Sequence, residues 1–185
     1  VTFAKPEEAV TTHPALLVAL IKMLKARGAD VIVGDSPGGL YNAAFVGRVY
    51  TVSGVREVEH HGAKLNDDYS QKSAVYPEAA VLHNFTYTGY LDEADHIIHF
   101  CKLKSHGMMG MSAAVKNLFG TIPGTKKPEY HYRFPNHADF ADMLVDLNEY
   151  FKPKDEAETA ETVAENGEET AKKTVYYTSD PEGQA

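Results

Sequence analysis

Apolar residues recur at helical spacing in two long segments of the chain. Residues 13–29, HPALLVALIKMLKARGA, predict an amphipathic helix that begins at Pro14 and ends near Gly28. Residues 137–151, HADFADMLVDLNEYF, predict a second amphipathic helix by the same spacing. The positions expected in the core are Leu16, Leu17, Leu20, Ile21 and Leu24 in the first helix and Phe140, Met143, Leu144, Leu147 and Phe151 in the second.

Short β-branched runs alternate with helical patterns between these two helices. Residues 30–35, DVIVGD, and residues 95–102, DHIIHFCK, predict buried parallel strands, and residues 63–67 form a weaker strand candidate. Residues 71–87 predict two strands of an edge hairpin, because Pro77 interrupts a β-type pattern. The alternation predicts an α/β fold, namely a three-layer domain with a mostly parallel sheet flanked by helices. Further helical patterns cover residues 42–54, 55–62 and 112–120, and residues 122–135 predict a loop.

The composition of the chain changes after Lys152. Residues 153–185 contain nine acidic residues and three lysines, which leaves 17 of the 26 acidic and 15 of the 18 basic residues to the first 152 positions. We therefore expect residues 1–152 to form the α/β domain and residues 153–185 to be an acidic, mobile tail or insertion, apart from a candidate strand at residues 174–178, TVYYT. The sequence begins with Val1, and we expect it to be a fragment of a longer protein.

The overall composition narrows the classes of partner. The net charge of −8 argues against nucleic acid and anionic membranes, which usually select a basic surface. No apolar run reaches the roughly 18 residues that a membrane span needs. The single cysteine, Cys101, excludes a disulfide within this chain and fits a cytoplasmic location.

Cationic residues follow the second predicted buried strand. Ligands of open α/β sheets bind beyond the carboxyl ends of the strands, and residues 102–110, KLKSHGMMG, leave the sheet there. Their donors, together with a helix that is expected to open near Ser112, suit a phosphate or carboxylate. The alternative is that the lysines are solvated and the glycines only shape a turn. The residues proposed to hold the anion are Lys102, Lys104, Ser112 and Lys116, and His106 is the candidate for proton transfer.

A second polar segment, GDSPGG at residues 34–39, follows the first buried strand. Asp35 could orient a lysine, bind a metal or act as a base, and Gly38 and Gly39 could form a nest of N–H groups. The same residues are typical of a β-turn that binds nothing. Both interpretations stay open at this point.

The nine histidines raise the question of a metal site. None of their spacings matches a zinc-binding motif, so we predict no metal ligands. Residues 129–137, EYHYRFPNH, could fold over the sheet edge with His131 and Arg133, or could simply cap the fold.

Three segments carry a resemblance to a known family. Residues 10–39, 94–124 and 129–148 resemble the domain of unknown function 362 family, and the combination KLKSHG, AVKNLFG and IPG is its specific part. The resemblance covers about residues 4–152. The positions that match the family's motifs are Asp35, Ser36, Gly38, Gly39, Lys102, Lys104, His106, Lys116 and Asn117.

This resemblance implies a prokaryotic protein of unestablished activity. Members frequently carry a ferredoxin-like part with two 4Fe–4S clusters. Cys101 alone cannot hold such a cluster, so a cluster would lie in a missing domain or in a partner protein.

Three functional hypotheses follow. The first is an enzyme-like domain that binds a small anionic substrate at the sheet edge, with Ser36, Gly38, Gly39 and Asn117 added to the anion site and Asp35 orienting a cation. The second is a non-catalytic module of an iron–sulfur electron-transfer protein, with an exposed face near residues 121–137 that becomes protected on assembly. The third and weakest is a metal-dependent racemase or isomerase.

Overall fold

The computed structural model describes residues 2–152 and the backbone of residues 173–177. Each of the longer helices begins after a residue whose side chain accepts a hydrogen bond from the first turn, namely His13, Asn42 or Asn136. Within this part of the chain, no helix has the length and apolar character needed to cross a membrane. The α-helices are α1 (Pro14–Lys25), α2 (Ala43–Val52), α3 (Ala114–Asn117), α4 (Lys127–Arg133) and α5 (His137–Tyr150). The 3-10 turns cover Pro6–Glu8, Val55–His61, Gly89–Glu93, Leu118–Thr121 and Gly124–Lys126.

The largest sheet in the described residues has four parallel strands. The strands of the chain are β1 (Asp30–Gly34), β2 (Lys64–Leu65), β3 (Gln71–Val75), β4 (Asn84–Thr88), β5 (His96–His99), β6 (Lys104–His106), β7 (Gly110–Ser112) and β8 (Lys173–Tyr177). The order in the parallel sheet is β2–β1–β8–β5, so β8 lies between the two strands that the sequence predicts most clearly.

The position of β8 brings residues that follow position 152 into the parallel sheet. The candidate strand at residues 174–178 is confirmed, with bounds of residues 173–177. The sheet therefore takes strands from both sides of the boundary predicted at residue 152. The predicted mobility of the tail concerns residues 153–172 and 178–185, which lie outside the described part of the chain.

The remaining strands form two separate antiparallel pairs. β3 pairs with β4, which confirms the hairpin predicted within residues 71–87. β6 pairs with β7 in a second hairpin, which the sequence does not predict. The mixture of helices and strands confirms an α/β fold, but the sheets are small and only one of the three is parallel. The three-layer arrangement stays a prediction.

Apolar side chains pack against both faces of the parallel sheet. Val31 and Val33 of β1 join a cluster with α1 and α2, whereas Ile32 packs against a second cluster that contains residues of β4, α4 and α5. β1 therefore contacts an apolar cluster on each face, and the half-buried Ile97 and Ile98 of β5 pack against the second and the first cluster respectively. Contacts on both faces explain the continuous apolar sequences of these two parallel strands.

Two details differ from the sequence-based expectations. Residues 122–135 form a 3-10 turn and helix α4 instead of a loop, because Pro128 fits the first turn of a helix and Tyr130 is buried. Leu16 is 59% exposed, because Leu17 and Ile21 define the buried stripe of α1 and Leu16 lies outside it.

A buried carboxylate of α5 fixes the chain before β4. Asp146 accepts hydrogen bonds from the backbone N–H groups of Ala80, Val81 and Leu82 at 2.9, 2.8 and 2.8 Å. Burial raises the pKa of Asp146, but these three hydrogen bonds and the nearby charge of His83 outweigh burial, so the pKa lies below its usual value. The carboxylate thus connects two segments that are far apart in the sequence.

The substitution Asp146→Asn should lower the free energy of unfolding by about 2–3 kcal/mol, because an amide group replaces one of the two accepting oxygens. Since the folded-state pKa is lowered, the carboxylate's contribution is complete above the ordinary value of 3.8 and is lost as the pH falls through the folded-state pKa. Urea unfolding at neutral and acidic pH measures both effects. Asp142→Asn on the exposed face of α5 is the control, and equal stability of the two variants would contradict the prediction.

Candidate functional site

Strands β1 and β5 end at the same edge of the parallel sheet. Gly34, the last residue of β1, and His99, the last residue of β5, both lie opposite Tyr177 of β8. One strand separates their backbones, which places them about 10 Å apart. The segments 34–39 and 102–110 therefore leave the sheet from one edge, where ligands of α/β proteins bind.

Asp35 and Ser36 are both buried directly after β1. The Asp35 carboxylate accepts the Ser36 N–H at 2.8 Å, and the backbone N–H of Asp35 donates to the Tyr50 hydroxyl at 3.0 Å. Burial, and secondarily the charge of Asp35, raise the pKa of Tyr50 well above its usual value. Tyr50 therefore stays protonated and can serve as a neutral hydrogen-bond partner of this turn.

The turn after β1 is held against the first residue of α4 and the 3-10 turn that precedes it. The Gly124 N–H donates to the Ser36 hydroxyl oxygen at 2.7 Å, and the Lys127 ammonium donates to the Ser36 carbonyl oxygen. A methyl group on Gly124 would overlap the carbonyl oxygen of Pro37 and would lie 2.6 Å from that of Gly39. The two segments thus contact each other through backbone atoms, which leaves no room for a side chain.

Two buried lysines lie on the aromatic cluster beside this turn. Lys116 is 5% exposed and Lys127 is 1% exposed. Their ammonium nitrogens lie 5.0 and 5.7 Å from the ring centre of Phe119, and the Lys116 nitrogen lies 6.0 Å from that of Phe140. Aromatic faces stabilise cations at such distances. Asn117, next to Lys116, is fully buried as well.

The β6–β7 hairpin brings three predicted site residues to one face. Lys104 lies directly opposite Ser112 in the register, and His106 is two residues along β6 from Lys104. His106 and Ser112 are buried, whereas Ser105 and Met111, which point to the other face, are exposed. Lys104, His106 and Ser112 therefore share the inner face of the hairpin.

Within the described residues, the hydroxyl of Ser112 has no hydrogen-bond partner although it is fully buried. A buried hydroxyl without a partner among these residues could donate a hydrogen bond to a bound polar group. Lys104, its neighbour across the hairpin, donates to the carbonyl oxygen of Val10 at 3.4 Å, which is a long hydrogen bond. The inner face of the hairpin thus carries a lysine ammonium and a buried hydroxyl on directly opposed residues.

The other predicted residues contribute less to a common site. Lys102 and Gly38 are half-buried, and Gly39 is exposed with a left-handed backbone, φ +119°. The helix expected to open near Ser112 begins instead at Ala114 and is a single turn long, because the chain tightens into a 3-10 turn at Leu118. A helix of one turn supplies little dipole, so the helix start would contribute less to the predicted anion site than the lysines, and the site itself stays a prediction.

The predicted cations lie on different elements of the fold. Lys104 belongs to the hairpin, whereas Lys116 belongs to the buried cluster that also contains Lys127. Two surface grooves, of about 380 and 230 Å³, lie elsewhere: the first is lined by Arg48 and Arg56, the second by Asp30. In the described part of the chain, no group of three or more His, Cys, Asp or Glu side chains is arranged to hold a metal ion.

Sequence reasoning missed two residues of this region. Lys127 resembles its neighbour Lys126 in the sequence, and only the fold distinguishes the buried lysine from the one that pairs with Glu129 at the surface. His99 ends β5 at the same edge as Gly34, and burial lowers its pKa. The position of His99 at the end of an apolar run is a signal that could have drawn attention to it.

Comparison with known families decides the membership of this chain. The domain of unknown function DUF362 matches residues 2–176, which include four of the five residues of β8 as well as the segments described above. The chain belongs to the DUF362 family.

One curated relative of this DUF362 chain is the "Thylakoid-associated protein sll1697" of Synechocystis sp.. The two sequences are 26% identical over 156 residues, which cover 80% of this chain and 45% of the relative. The chain thus spans less than half the length of that protein. No solved structure gives a significant match.

The contact between the two turns predicts a large effect at one glycine of this DUF362 domain. Gly124→Ala should lower the free energy of unfolding by about 1–3 kcal/mol, because the added methyl group meets backbone atoms that cannot move independently. The midpoint of urea unfolding measures this loss. Gly107→Ala is the matched control, since no atom lies within 4 Å of the added methyl group. If both variants unfold at the same urea concentration, the contact is not as close as described.

Proposed function

We propose that this domain binds a small anion that carries a phosphate or carboxylate group at the carboxyl edge of its parallel sheet. The observation that supports this most strongly is the register of β8, in which Gly34 and His99 lie opposite the same residue. Because of that register, the Asp35–Gly39 turn and the chain that leads to Lys104 start from one edge.

The hairpin provides the groups that would contact the anion. Lys104 and Lys102 are half-buried and follow β5, and their ammonium groups would contact the anion. The buried hydroxyl of Ser112, opposite Lys104, would donate to an anionic oxygen and so become satisfied. Charge-assisted hydrogen bonds of this kind are about twice as strong as neutral ones.

The buried cluster would contribute at longer range. Lys116 and Lys127 are positive charges in a region of low dielectric constant, where their field is screened less than at the surface. Residues 2–152 carry almost balanced charge, so this local field is not cancelled by the net acidity of the chain. Ser36, Gly38, Gly39 and Asn117 would complete the walls of the site.

An enzymatic step is the extension of this proposal. Asp35 would orient a cation, and His106 is the residue that the sequence favours for proton transfer. The cytoplasmic location expected from the sequence belongs to the same proposal, whereas association with thylakoids is stated of the relative alone. Nucleic acid and membranes are not among the proposed partners.

A second candidate function is that of a module in an iron–sulfur electron-transfer protein. The observation that favours it is a set of exposed apolar side chains on and beside the β6–β7 hairpin, which a ferredoxin-like domain or partner could cover. The exposed side chains are Leu103, Met108, Met111 and Val115, at 70, 47, 58 and 50% exposure. In this case the 4Fe–4S clusters would lie outside this chain, and these side chains would become protected in the longer protein.

Calorimetric titration with inorganic phosphate tests the first proposal. The wild-type chain should bind phosphate saturably, and Lys104→Ala should weaken that binding about tenfold or more, since one charge-assisted hydrogen bond is worth about 1.5–3 kcal/mol. The melting temperature without phosphate should change little, because Lys104 is half-buried and its hydrogen bond to the carbonyl oxygen of Val10 is long, at 3.4 Å.

Lys22→Ala, on the exposed side of α1, is the control for a general loss of positive charge. Its phosphate affinity should equal that of the wild type. Absence of saturable binding in the wild type, or intact binding in a strongly destabilised Lys104→Ala variant, would reject the anion-binding proposal.

A further inference from the structure

The imidazole of His106 lies at the closed end of the β6–β7 hairpin. His106 is opposite Gly110 in the register, so residues 107–109 form the connecting loop. Gly110 has a left-handed backbone, φ +69°, which is typical of hairpins with three-residue loops. His106 is only 4% exposed, although the loop beside it is largely exposed.

Two backbone N–H groups of this loop donate to the same nitrogen of His106. Met108 and Met109 donate to Nδ1 at 3.2 and 3.1 Å. A nitrogen that accepts hydrogen bonds carries no proton, so the proton of the neutral ring is on Nε2. Protonation of Nδ1 would cost both hydrogen bonds at once.

We infer that His106 is a positioning residue, which holds the hairpin tip through Nδ1 as a neutral imidazole. In this tautomer neither nitrogen is available as a base, because Nδ1 is occupied by the loop and Nε2 already carries the proton. The inference therefore replaces the proton-transfer role of His106. It rests on the proposed anion site only for its prediction about phosphate affinity.

The hydrogen bonds at Nδ1 of His106 also influence the residues proposed to contact the anion, because those residues lie on the same hairpin. Lys104 is two residues from His106 on β6, and Ser112 is two residues from Gly110 on β7. An isolated two-stranded hairpin is only marginally stable in water, so its tip and its register depend on additional contacts. Loss of the Nδ1 contacts should loosen the pairing of Lys104 with Ser112 and so weaken anion binding without any direct contact to the ligand.

Two substitutions separate the functions of the two ring nitrogens. His106→Asn places an oxygen near the position of Nδ1, and asparagine commonly accepts hydrogen bonds from N–H groups two and three residues later. His106→Gln places its polar atoms near the position of Nε2 instead. The inference predicts that His106→Asn retains the slow amide exchange of Met108 and Met109 and the phosphate affinity within about twofold, a difference of about 0.4 kcal/mol. His106→Gln should lose both.

Nitrogen NMR of the His106 imidazole in the wild-type protein tests the inferred tautomer without any substitution. It should show an unprotonated Nδ1 and a protonated Nε2 at neutral pH. The opposite tautomer would overturn the inference, as would fast exchange of Met108 and Met109 in His106→Asn. Retained slow exchange with lost phosphate affinity in His106→Asn would also overturn it, because His106 would then act on the anion through Nε2.

The experiments distinguish failure of the proposed anion site from failure of the inference about His106. If the wild-type chain binds no phosphate, the anion site is rejected, whereas the tautomer and the exchange of the two amides still decide the role of His106.

Discussion

Parallel pairing of β8 with both β1 and β5 is the constraint on which the proposed site depends. The pairing places Gly34 and His99 opposite the same residue and so directs two distant segments of the chain to one edge of the sheet. Because β8 lies between β1 and β5, the ends of these two strands are aligned through their shared pairing with β8. A strand contributed by residues 173–177 therefore determines the geometry of a site whose side chains all come from residues 35–127.

The contact between the Asp35–Gly39 turn and the chain before α4 then fixes one wall of this edge. Ser36 is held at its hydroxyl by Gly124 and at its carbonyl by Lys127. Lys127 and Lys116 are both buried, and their ammonium groups lie on the aromatic ring of Phe119. The hairpin forms a separate unit at the same edge, and its inner face carries Lys104, His106 and Ser112. The two units differ in character, since the first is locked by backbone contacts and the second depends on a short two-stranded ladder.

The sequence predicts the elements whose pattern is long or strongly apolar. α1, α5 and β1 follow from periodicity and from Gly and Pro at their ends, and the β3–β4 hairpin follows from β-type residues around Pro77. The β6–β7 hairpin is missed because each of its strands has three residues, too few for alternation to be distinguished from a helical pattern. The central place of β8 is missed because strand order depends on contacts between distant segments.

The same limits apply to the site. Sequence reasoning identifies Asp35, Lys104 and His106 because they follow buried strands, and the structure brings Lys104 and His106 to one face. It does not distinguish Lys127 from Lys126, because burial is a property of the fold. It also assigns proton transfer to His106 from the residue type alone, whereas the hydrogen bonds at Nδ1 favour a positioning role.

The central claim is that the turn after β1 and the hairpin after β5 border a single anion site. The most direct measurement is an NMR titration of the isotopically labelled chain with inorganic phosphate, followed at the amides of Gly38, Gly39, Ser105 and Ser112. A single site predicts that the resonances of both segments shift together and give one dissociation constant. Shifts confined to one segment, or two unrelated dissociation constants, would contradict the claim.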